Sequence, residues 1–319
     1  MANLILTNYC NADCAFCFAT DSRVRMLRDG KRQMDEAEVR DWLDFVIAGG
    51  IRELRLLGGE PSLHPKFAEF VRLGAEKGCS VTVFTNGVMP DLARDVLREL
   101  DPEVCSVVVN VSAAVRKEDI SRQRDTLKML GLRAMPGMTL TSPVFTFAVA
   151  IAMIDAFGLR RTIRVGIANP TWRGSNVSVH PKQYPAIGQS LLKQSAITSR
   201  FGIDLDADCG FVRCMFGDRF EELTANGFHY HSRCTPVLDL CAGGTILPCF
   251  GLSNLVSLSR SDFSDAGEAY GEMSRVLEPW HAFGIYPECA ECPLFETEAC
   301  CGGCLSARLR RFQPLKETE

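Results

Sequence analysis

Short apolar runs alternate with amphipathic stretches through the first two-thirds of the chain. Stretches with helical periodicity predict helices over Asp35–Ala48, Lys66–Lys77, Asp91–Leu100, Asp119–Leu130, Ser142–Phe157 and Pro181–Phe201. The apolar runs predict buried strands at Leu4–Leu6, Glu53–Leu57, Ser80–Thr85, Ser106–Val111, Gly137–Leu140 and Thr162–Ile167. Strands that alternate with helices pair in parallel, so the pattern predicts an α/β fold, an open or partial (β/α)6 TIM-like barrel. Sites in such sheets form at the carboxyl ends of the strands.

The periodicity fades after Phe201, and the sequence from Cys209 onward is rich in glycine and cysteine. A segment of this kind needs a metal or a neighbouring domain to become ordered. We therefore expect a barrel domain over residues 1–201 and a small Cys-rich domain over residues 202–319. Within the latter, Asp204–Asp208 is expected to be a polar loop. His229 and His231 alternate, which would place both on one face of an extended segment.

Composition narrows the class of protein. Of 319 residues, 46% are hydrophobic, enough for a core that needs no disulfides. The net charge is −4 and no long Lys/Arg run occurs, so we expect no nucleic-acid binding. The longest apolar stretch, Phe145–Leu159, contains Asp155 and is too short for a membrane span, which predicts a buried helix and no membrane association. With no secretory signal, the fifteen cysteines are expected to be reduced in the cytoplasm, which favours metal binding or catalysis.

Three of these cysteines follow the first predicted strand with the spacing Cys10-X3-Cys14-X2-Cys17. Three thiolates do not complete a structural zinc site, which takes four ligands. They can bind three irons of a four-iron cluster and leave the fourth iron open, as a catalytic metal site requires. An isolated motif of this spacing also fits a redox thiol group or a partial zinc site.

Three motifs together resemble the radical S-adenosylmethionine (SAM) superfamily: "CNADCAFC" at residues 10–17, "LLGGEP" at Leu56–Pro61 and "FTNG" at Phe84–Gly87. The first matches the family signature CX3CXΦC, with Phe16 as the aromatic residue. The resemblance implies a [4Fe-4S] cluster on Cys10, Cys14 and Cys17, whose open iron binds SAM. It further implies reductive cleavage of SAM to a 5′-deoxyadenosyl radical, which abstracts a hydrogen atom from the substrate.

The same resemblance implies a set of SAM contacts. Phe16 would contact the adenine, and Ser112 the ribose or the carboxylate. Arg164 would bind the carboxylate, although it and Ser112 fit ordinary residues of the barrel rim equally well. The backbone of the GGEP motif would meet the SAM amino group, because glycine lets a ligand approach the main chain closely. The remaining cofactor-binding candidates come from that motif and from FTNG: Gly58, Gly59, Glu60, Pro61 and Asn86.

The carboxy-terminal cysteines resemble the SPASM or twitch extension of radical SAM enzymes, which carries auxiliary iron–sulfur clusters. The first part of the pattern is Cys234-X9-Gly244-X4-Cys249, and the second departs by two residues from the usual CX2CX5CX3C. A twitch-like arrangement has one cluster on Cys234, Cys249, Cys289 and Cys292. A SPASM-like arrangement has one cluster on Cys234, Cys249 and Cys304 and a second on Cys289, Cys292 and Cys300. We thus expect one or two auxiliary [4Fe-4S] clusters.

Several alternatives stay open for this segment. Cys241 or Cys301 can complete either ligand set, or one cluster keeps an open site. Cys209 and Cys214 are expected not to ligate. CX2C pairs with glycines also suit zinc, and the amino-terminal motifs favour iron–sulfur clusters.

The resemblance implies an oxidoreductase or epimerase that acts on a small molecule, or an enzyme that modifies a ribosomal peptide. Catalytic candidates are Cys241 or Cys301 as a hydrogen-atom donor and Asp239 as an acid. The implied partners are the substrate and a low-potential electron donor, flavodoxin or ferredoxin. A separate peptide-recognition protein is a further candidate, because the first strand begins at once and leaves no room for a recognition domain before it. The alternative from another class is a non-enzymatic iron–sulfur electron carrier or redox sensor.

Overall fold

The computed structural model describes residues 1–310 and contains one open, eleven-stranded sheet. Its order is β11-β10-β9-β1-β2-β3-β4-β5-β6-β7-β8, so β1 lies inside the sheet and not at an edge. Strands β1 to β8 pair in parallel in chain order, and β9 pairs in parallel with the free side of β1. The strands are β1 Ala2–Thr7, β2 Glu53–Gly58, β3 Ser80–Thr85, β4 Cys105–Asn110, β5 Ala134–Leu140, β6 Thr162–Ile167, β7 Asp204–Ala207, β8 Phe228–His229, β9 Asp239–Cys241, β10 Thr245–Leu247 and β11 Leu258–Ser259.

Helices connect the parallel strands and cover one face of the sheet. The main core lies between that face and the helices, where strand residues such as Leu4, Leu56 and Val83 pack with Trp42 and Phe70. The helices are α1 Thr20–Arg28, α2 Glu36–Ala48, α3 Phe67–Glu76, α4 Asp91–Glu99, α5 Ile120–Leu130, α6 Ala148–Phe157, α7 Tyr184–Arg200, α8 Phe220–Ala225, α9 Ala266–Leu277, α10 Pro293–Glu296 and α11 Leu305–Arg310.

The six predicted strands are confirmed, as are five of the six predicted helices, all with ends shifted by no more than three residues. The exception is α6, which begins at Ala148 and not at Ser142. The Ser142 hydroxyl bonds to the backbone of Val144, a local turn that competes with helix formation. Helix α6 is buried on one side only, since Val149 is 60% exposed. None of the helices in residues 1–310 combines the length and apolarity that crossing a membrane demands.

The opposite face of the sheet lies inside the partial barrel and is largely polar. Because side chains alternate along a strand, the residues between the buried apolar ones point to this side. Thr82 and Ser106 are hydrogen-bonded there at 3.0 Å between hydroxyl oxygens, and Arg164 of β6 faces Asp206 of β7. The interior is thus lined by groups that can bind a polar ligand.

The expected loop at Asp204–Asp208 is wrong, because residues 204–207 form strand β7. Leu205 and Ala207 are buried, and the alternating aspartates face the polar interior. His229 and His231 do share a face, as predicted. His229 Nε2 lies 3.6 Å from a carboxylate oxygen of Asp204, and His231 Nε2 lies 3.3 Å from one of Asp206.

The Cys-rich segment packs into the main core. Leu240, Ile246, Leu252, Met273 and Leu277 all belong to the hydrophobic cluster that the barrel strands form. The periodicity does not end at Phe201, since helix α9 buries Ala266, Ala269, Met273 and Leu277 at helical spacing. The division between residues 201 and 202 stays a prediction, and the last nine residues of the second predicted domain lie outside the described ones.

Candidate functional site

Residues 9–18, the cysteine loop, follow β1 and cross the carboxyl ends of β2 and β3. The Tyr9 carbonyl accepts a hydrogen bond from the Glu60 amide at 2.7 Å, just beyond β2. Asn11 donates from Nδ2 to the Val88 carbonyl at 2.8 Å and accepts from Asn86 Nδ2 at 2.7 Å, both just beyond β3. The loop is therefore held on the rim where the predicted motifs end.

The same loop is held from β4 and β6. The Asp13 amide donates to the carbonyl of Ala114, a residue beyond β4, at 3.3 Å. Beyond β6, the Val177 amide donates to the Ala15 carbonyl at 2.8 Å, and Asn176 Nδ2 donates to the Phe16 carbonyl at 3.2 Å. Contacts from four strand ends position a loop that has no regular structure of its own.

The three thiols of the loop are half-buried and lie close enough to interact electrostatically. The Ala12 amide donates to Cys10 Sγ at 3.5 Å, and the Ala114 amide donates to Cys14 Sγ at 3.2 Å. Burial raises the pKa of Cys10 and of Cys14, so both are thiols until a positive partner stabilises the thiolate. Amide donors aimed at sulfur stabilise thiolate ligands of an iron–sulfur cluster, so this donor set fits that group.

In residues 1–310, no three His, Cys, Asp or Glu side chains converge as they would around one metal ion. A four-iron cluster binds each thiolate to a separate iron, so its ligands need not meet at one point.

Gly58 and Gly59 let the end of β2 lie directly against the cysteine loop. A Cβ on Gly58 would stand 2.3 Å from the Thr7 carbonyl oxygen, and one on Gly59 would stand 2.1 Å from that of Tyr9 and 3.0 Å from Cys10 Cβ. The amides of Gly59 and Glu60 already donate to the Thr7 and Tyr9 carbonyls. In this structure the two glycines are needed for close packing of the loop; contact of this backbone with SAM stays a prediction.

Glu60 is fully buried and organises the rim through both carboxylate oxygens. Oε1 accepts from the Ser62 hydroxyl at 2.6 Å and the Thr85 hydroxyl at 2.8 Å, and Oε2 accepts from the Asn86 amide at 2.8 Å. Burial nevertheless raises the pKa of Glu60. Pro61, also buried, begins the short 3-10 turn that presents Ser62 to the carboxylate.

Comparison with known proteins identifies this region. The model of the radical SAM superfamily matches residues 4–133. Residues 4–133 are a radical SAM domain. GTP 3′,8-cyclase of Chlorobaculum tepidum is 34% identical over 98 residues, which are 30% of this chain. The sporulation killing factor maturation protein SkfB of Bacillus subtilis is 29% identical over 128 residues, 39% of this chain. Each match spans 28% of the relative's own length.

Solved structures share the fold over most of the chain. SuiB of Streptococcus suis bound to SAM has a TM-score of 0.68 at 14% identity, covering 95% of this chain and 72% of SuiB. The structure titled native anSMEcpe with bound AdoMet has a TM-score of 0.65 at 17% identity and covers 95% of this chain and 88% of that one. These neighbours confirm the predicted partial barrel around the radical SAM domain.

Two residues that are predicted to contact SAM form contacts with other residues of the chain. Ser112 Oγ accepts from the Thr139 amide at 3.2 Å, between β4 and β5. Arg164 pairs with Asp208 at 3.0 Å and Asp206 at 3.5 Å, and its guanidinium carbon lies 5.0 Å from the centre of the Phe84 ring. Burial alone would lower the pKa of Arg164, but the two carboxylates outweigh it and raise the pKa. Both residues lie on the interior side of the sheet, and their contact with SAM stays a prediction.

Phe16 is half-buried and packs against the main core, while Asn86 ties β3 to the cysteine loop. Gly87, next to Asn86, has φ +80°, and a Cβ there would stand 2.8 Å from Val109 and 2.9 Å from Gln123. Only glycine fits this tight bend, which is the structural reason for the glycine in the FTNG motif.

Two catalytic candidates are buried on β9. Asp239 accepts from Asn3 Nδ2 at 2.6 Å, and burial raises its pKa to about 6. Cys241 is fully buried in a small second cluster with Ile5, Met26 and Phe250, and burial raises its pKa well above the usual range. Neither is open to a ligand as it stands, so their roles as acid and hydrogen-atom donor stay predictions. Cys301 is half-buried, with Sγ 3.8 Å from the Phe211 carbonyl oxygen.

The predicted auxiliary ligands fall into two groups. Cys234, Cys249 and Cys304 interact electrostatically with one another, and Cys289 does so with Cys292 and Cys300. The assignment of these cysteines to auxiliary clusters, in either arrangement, stays a prediction. Sequence reasoning set aside two cysteines that lie beside these groups, Cys209 and Cys214. Cys209 follows strand β7 closely, and Cys214 lies in the 3-10 element at Arg213–Arg219.

Proposed function

We propose that the chain is a radical SAM enzyme that abstracts a hydrogen atom from a polar substrate inside the partial barrel. The observation that carries this proposal is the cysteine loop itself. Three thiols stand together on the rim, with amides of Ala12 and Ala114 directed at two of them, and the chain has no other cysteine before Cys79. A cluster held by these three thiolates would leave one iron open for SAM.

Cys10, Cys14 and Cys17 would hold the [4Fe-4S] cluster. When bound and reduced, the cluster supplies the electron that cleaves SAM to methionine and the 5′-deoxyadenosyl radical. The chain's own residues position the cysteine loop: Glu60 joins the ends of β2 and β3, and Asn86 and Asn176 hold the loop from β3 and β6. These contacts would keep water away from the cluster and orient the cofactor.

The substrate would lie on the polar interior face. A row of polar side chains crosses β6, β7 and the residues after β8, and consists of Arg164, Asp206, Asp208 and His231. Such a row binds amide, carboxylate or amine groups more readily than hydrocarbon.

A peptide substrate is favoured by the fold-level likeness to SuiB, which was also solved bound to its precursor peptide SuiA. The match to the maturation protein SkfB supports the same class. GTP 3′,8-cyclases support the alternative of a small-molecule substrate. In either case the electron would come from a flavodoxin or ferredoxin, and a separate recognition protein would serve a peptide substrate.

The test is anaerobic reconstitution of the chain with iron and sulfide, followed by SAM and dithionite. We expect 5′-deoxyadenosine by mass spectrometry from the reconstituted chain and none from Cys10→Ala/Cys14→Ala/Cys17→Ala. That triple variant should also contain about four fewer irons per chain. Cys79→Ala removes a buried cysteine outside the site and should match the parent.

Absence of 5′-deoxyadenosine from a protein that carries the amino-terminal cluster would contradict the proposal. The chain would then be an iron–sulfur electron carrier or redox sensor, which has no need to bind SAM.

A further inference from the structure

We infer that Cys209 and Cys214 are the fourth ligands of two separate auxiliary [4Fe-4S] clusters. The first cluster would be bound by Cys209, Cys234, Cys249 and Cys304. The second would be bound by Cys214, Cys289, Cys292 and Cys300. This reverses the expectation that the two cysteines do not ligate. It extends the proposed function and rests on it only for the presence of iron–sulfur clusters. Its consequence is that neither auxiliary cluster leaves an iron free for a substrate.

The cysteines of the first set lie near one another. The Cys209 thiol interacts electrostatically with Cys304 and Cys234. Cys249 interacts with both Cys304 and Cys234. The Ser306 hydroxyl lies 3.1 Å from Cys304 Sγ, within hydrogen-bonding distance of the sulfur. The first set thus brings thiols from four separate parts of the chain near one another.

Cys214 lies near the other three cysteines of the second set. Its thiol interacts electrostatically with Cys300, Cys289 and Cys292, which are the three ligands expected for the second cluster. The Gly302 amide lies 3.4 Å from Cys300 Sγ and donates to it. Tyr286 interacts electrostatically with both Cys214 and Cys289, so these two cysteines lie near the same side chain.

Backbone contacts hold the segment that carries Cys209 and Cys214 on the 300–304 loop. Cys301 Sγ faces the Phe211 carbonyl, and the Tyr230 hydroxyl donates to the same carbonyl at 3.4 Å. A Cβ on Gly303 would stand 3.4 Å from Val212, so the two segments are in van der Waals contact. The segment between the two cysteines therefore spans the two sets.

Two buried donors next to these thiols lack an acceptor in residues 1–310. Arg308 is fully buried; Nε donates to the Gly303 carbonyl at 2.8 Å and Nη1 to the Phe283 carbonyl at 3.1 Å, whereas Nη2 has no partner there. The Tyr184 hydroxyl is buried without a partner as well.

An unpaired buried donor costs free energy, and a buried guanidinium needs an anion. Arg308 interacts electrostatically with Cys234, Cys289 and Cys301, and Tyr184 with Cys304 and Cys209. Two clusters ligated by four thiolates each would be anionic, and their sulfurs would accept these hydrogen bonds. The unsatisfied groups of this region thus fit bound clusters in both sets.

The first experiment is thiol labelling of the unaltered chain under anaerobic conditions. Cys209 and Cys214 are exposed in the absence of metal, so iodoacetamide should modify both in the iron-free protein. In the reconstituted protein both should be protected, as read by peptide mass spectrometry. Asp218→Cys places an exposed thiol nearby and should be labelled in both states. Labelling of Cys209 or Cys214 at the same rate with and without iron would overturn the inference.

The second experiment counts iron in the Cys10→Ala/Cys14→Ala/Cys17→Ala background, which should retain about eight irons per chain. Adding Cys214→Ala or Cys209→Ala should remove about four irons, or leave a cluster that loses one iron on mild oxidation and gives a [3Fe-4S] EPR signal. Cys79→Ala should do neither. Unchanged iron without that signal in the Cys214 and Cys209 variants would overturn the inference.

A cysteine variant can fail to fold. In that event the labelling of the unaltered chain, which needs no variant, tests the inference. The two proposals can also fail separately, since the background variant lacks the amino-terminal cluster. Failure to form 5′-deoxyadenosine leaves the auxiliary iron count unaffected.

Discussion

Gly59 shows at the scale of one residue how the site depends on the absence of a side chain. The Tyr9 carbonyl and Cys10 occupy the space that its Cβ would need. We expect Gly59→Ala to destabilise the protein by about 1–3 kcal/mol and to reduce iron at the amino-terminal cluster, because the cysteine loop must move. The measurements are denaturant unfolding of the iron-free chain and iron analysis after reconstitution.

The matched control is Gly271→Ala in helix α9. A Cβ there meets nothing within 4 Å, so alanine should stabilise the helix by about 1 kcal/mol and leave iron unchanged. Equal effects of the two substitutions would contradict the close-packing explanation.

Glu60 accepts hydrogen bonds through both oxygens, which an amide cannot reproduce. Glu60→Gln turns one acceptor into a donor that faces the Asn86 amide or the Ser62 and Thr85 hydroxyls. We expect a loss of about 1–3 kcal/mol in the free energy of unfolding. Glu76→Gln, at an exposed position on α3, should be close to neutral; a Glu60→Gln variant as stable as that control would refute the role of the carboxylate.

At the scale of elements, His64 connects the turn after β2 to the segment before α2. Its Nε2 lies 2.8 Å from the Met34 carbonyl oxygen, and its Nδ1 accepts from the Lys66 amide at 3.1 Å. Burial lowers the pKa of His64, so the folded state binds a proton less readily than the unfolded chain. Stability from this group is therefore complete well above pH 6.5 and is lost as the pH falls below that value.

We expect His64→Gln to weaken this pH dependence of the unfolding midpoint between about pH 5 and 7, at a cost of about 1 kcal/mol at neutral pH. His229→Gln, at an exposed position, should retain the dependence of the parent. A parent curve that is flat over this range, or unchanged in the His64 variant, would exclude the linkage.

The barrel elements could be predicted because β1 to β6 and α2 to α5 each bury an apolar side at a regular period. Helix α1 was missed because it buries only Ser22 and Met26, a weak apolar signal. Strand β7 was not predicted because its residues that face the interior are aspartates, which are typical of loops. Only the neighbouring β6 and His231 show that this segment is a strand. The strand conformation of this segment depends on long-range pairing, which the local sequence pattern does not contain.

At the scale of the whole molecule, the Cys-rich segment and the barrel share one core. Leu240 on β9 is fully buried in the same cluster as Leu4 and Leu56. We expect iron-free protein to unfold in one transition. Leu240→Ala should lower the free energy of unfolding by about 2–5 kcal/mol, equally when unfolding is followed by tryptophan fluorescence and by circular dichroism. Leu132→Ala, 67% exposed, should have little effect. Two separate transitions would instead support independent domains.

The amino-terminal thiols and the glycine motifs could be predicted from short spacings within single loops. The partners of Cys209 and Cys214 could not, because those thiols lie near cysteines 25 to 95 positions later, through sheet order and not through spacing. The carboxyl-end location of the cysteine loop follows from β1 being the first strand of a parallel sheet.

The interior position of β1 has a consequence for synthesis on the ribosome. Asn3 of β1 is hydrogen-bonded to Asp239 beside it, 236 residues later in translation. Until that late segment emerges, a nascent chain presents one flank of β1 as an open edge, which other polypeptides can pair with. We therefore expect correct folding to depend on chaperones during translation, and chains released before residue 241 to aggregate.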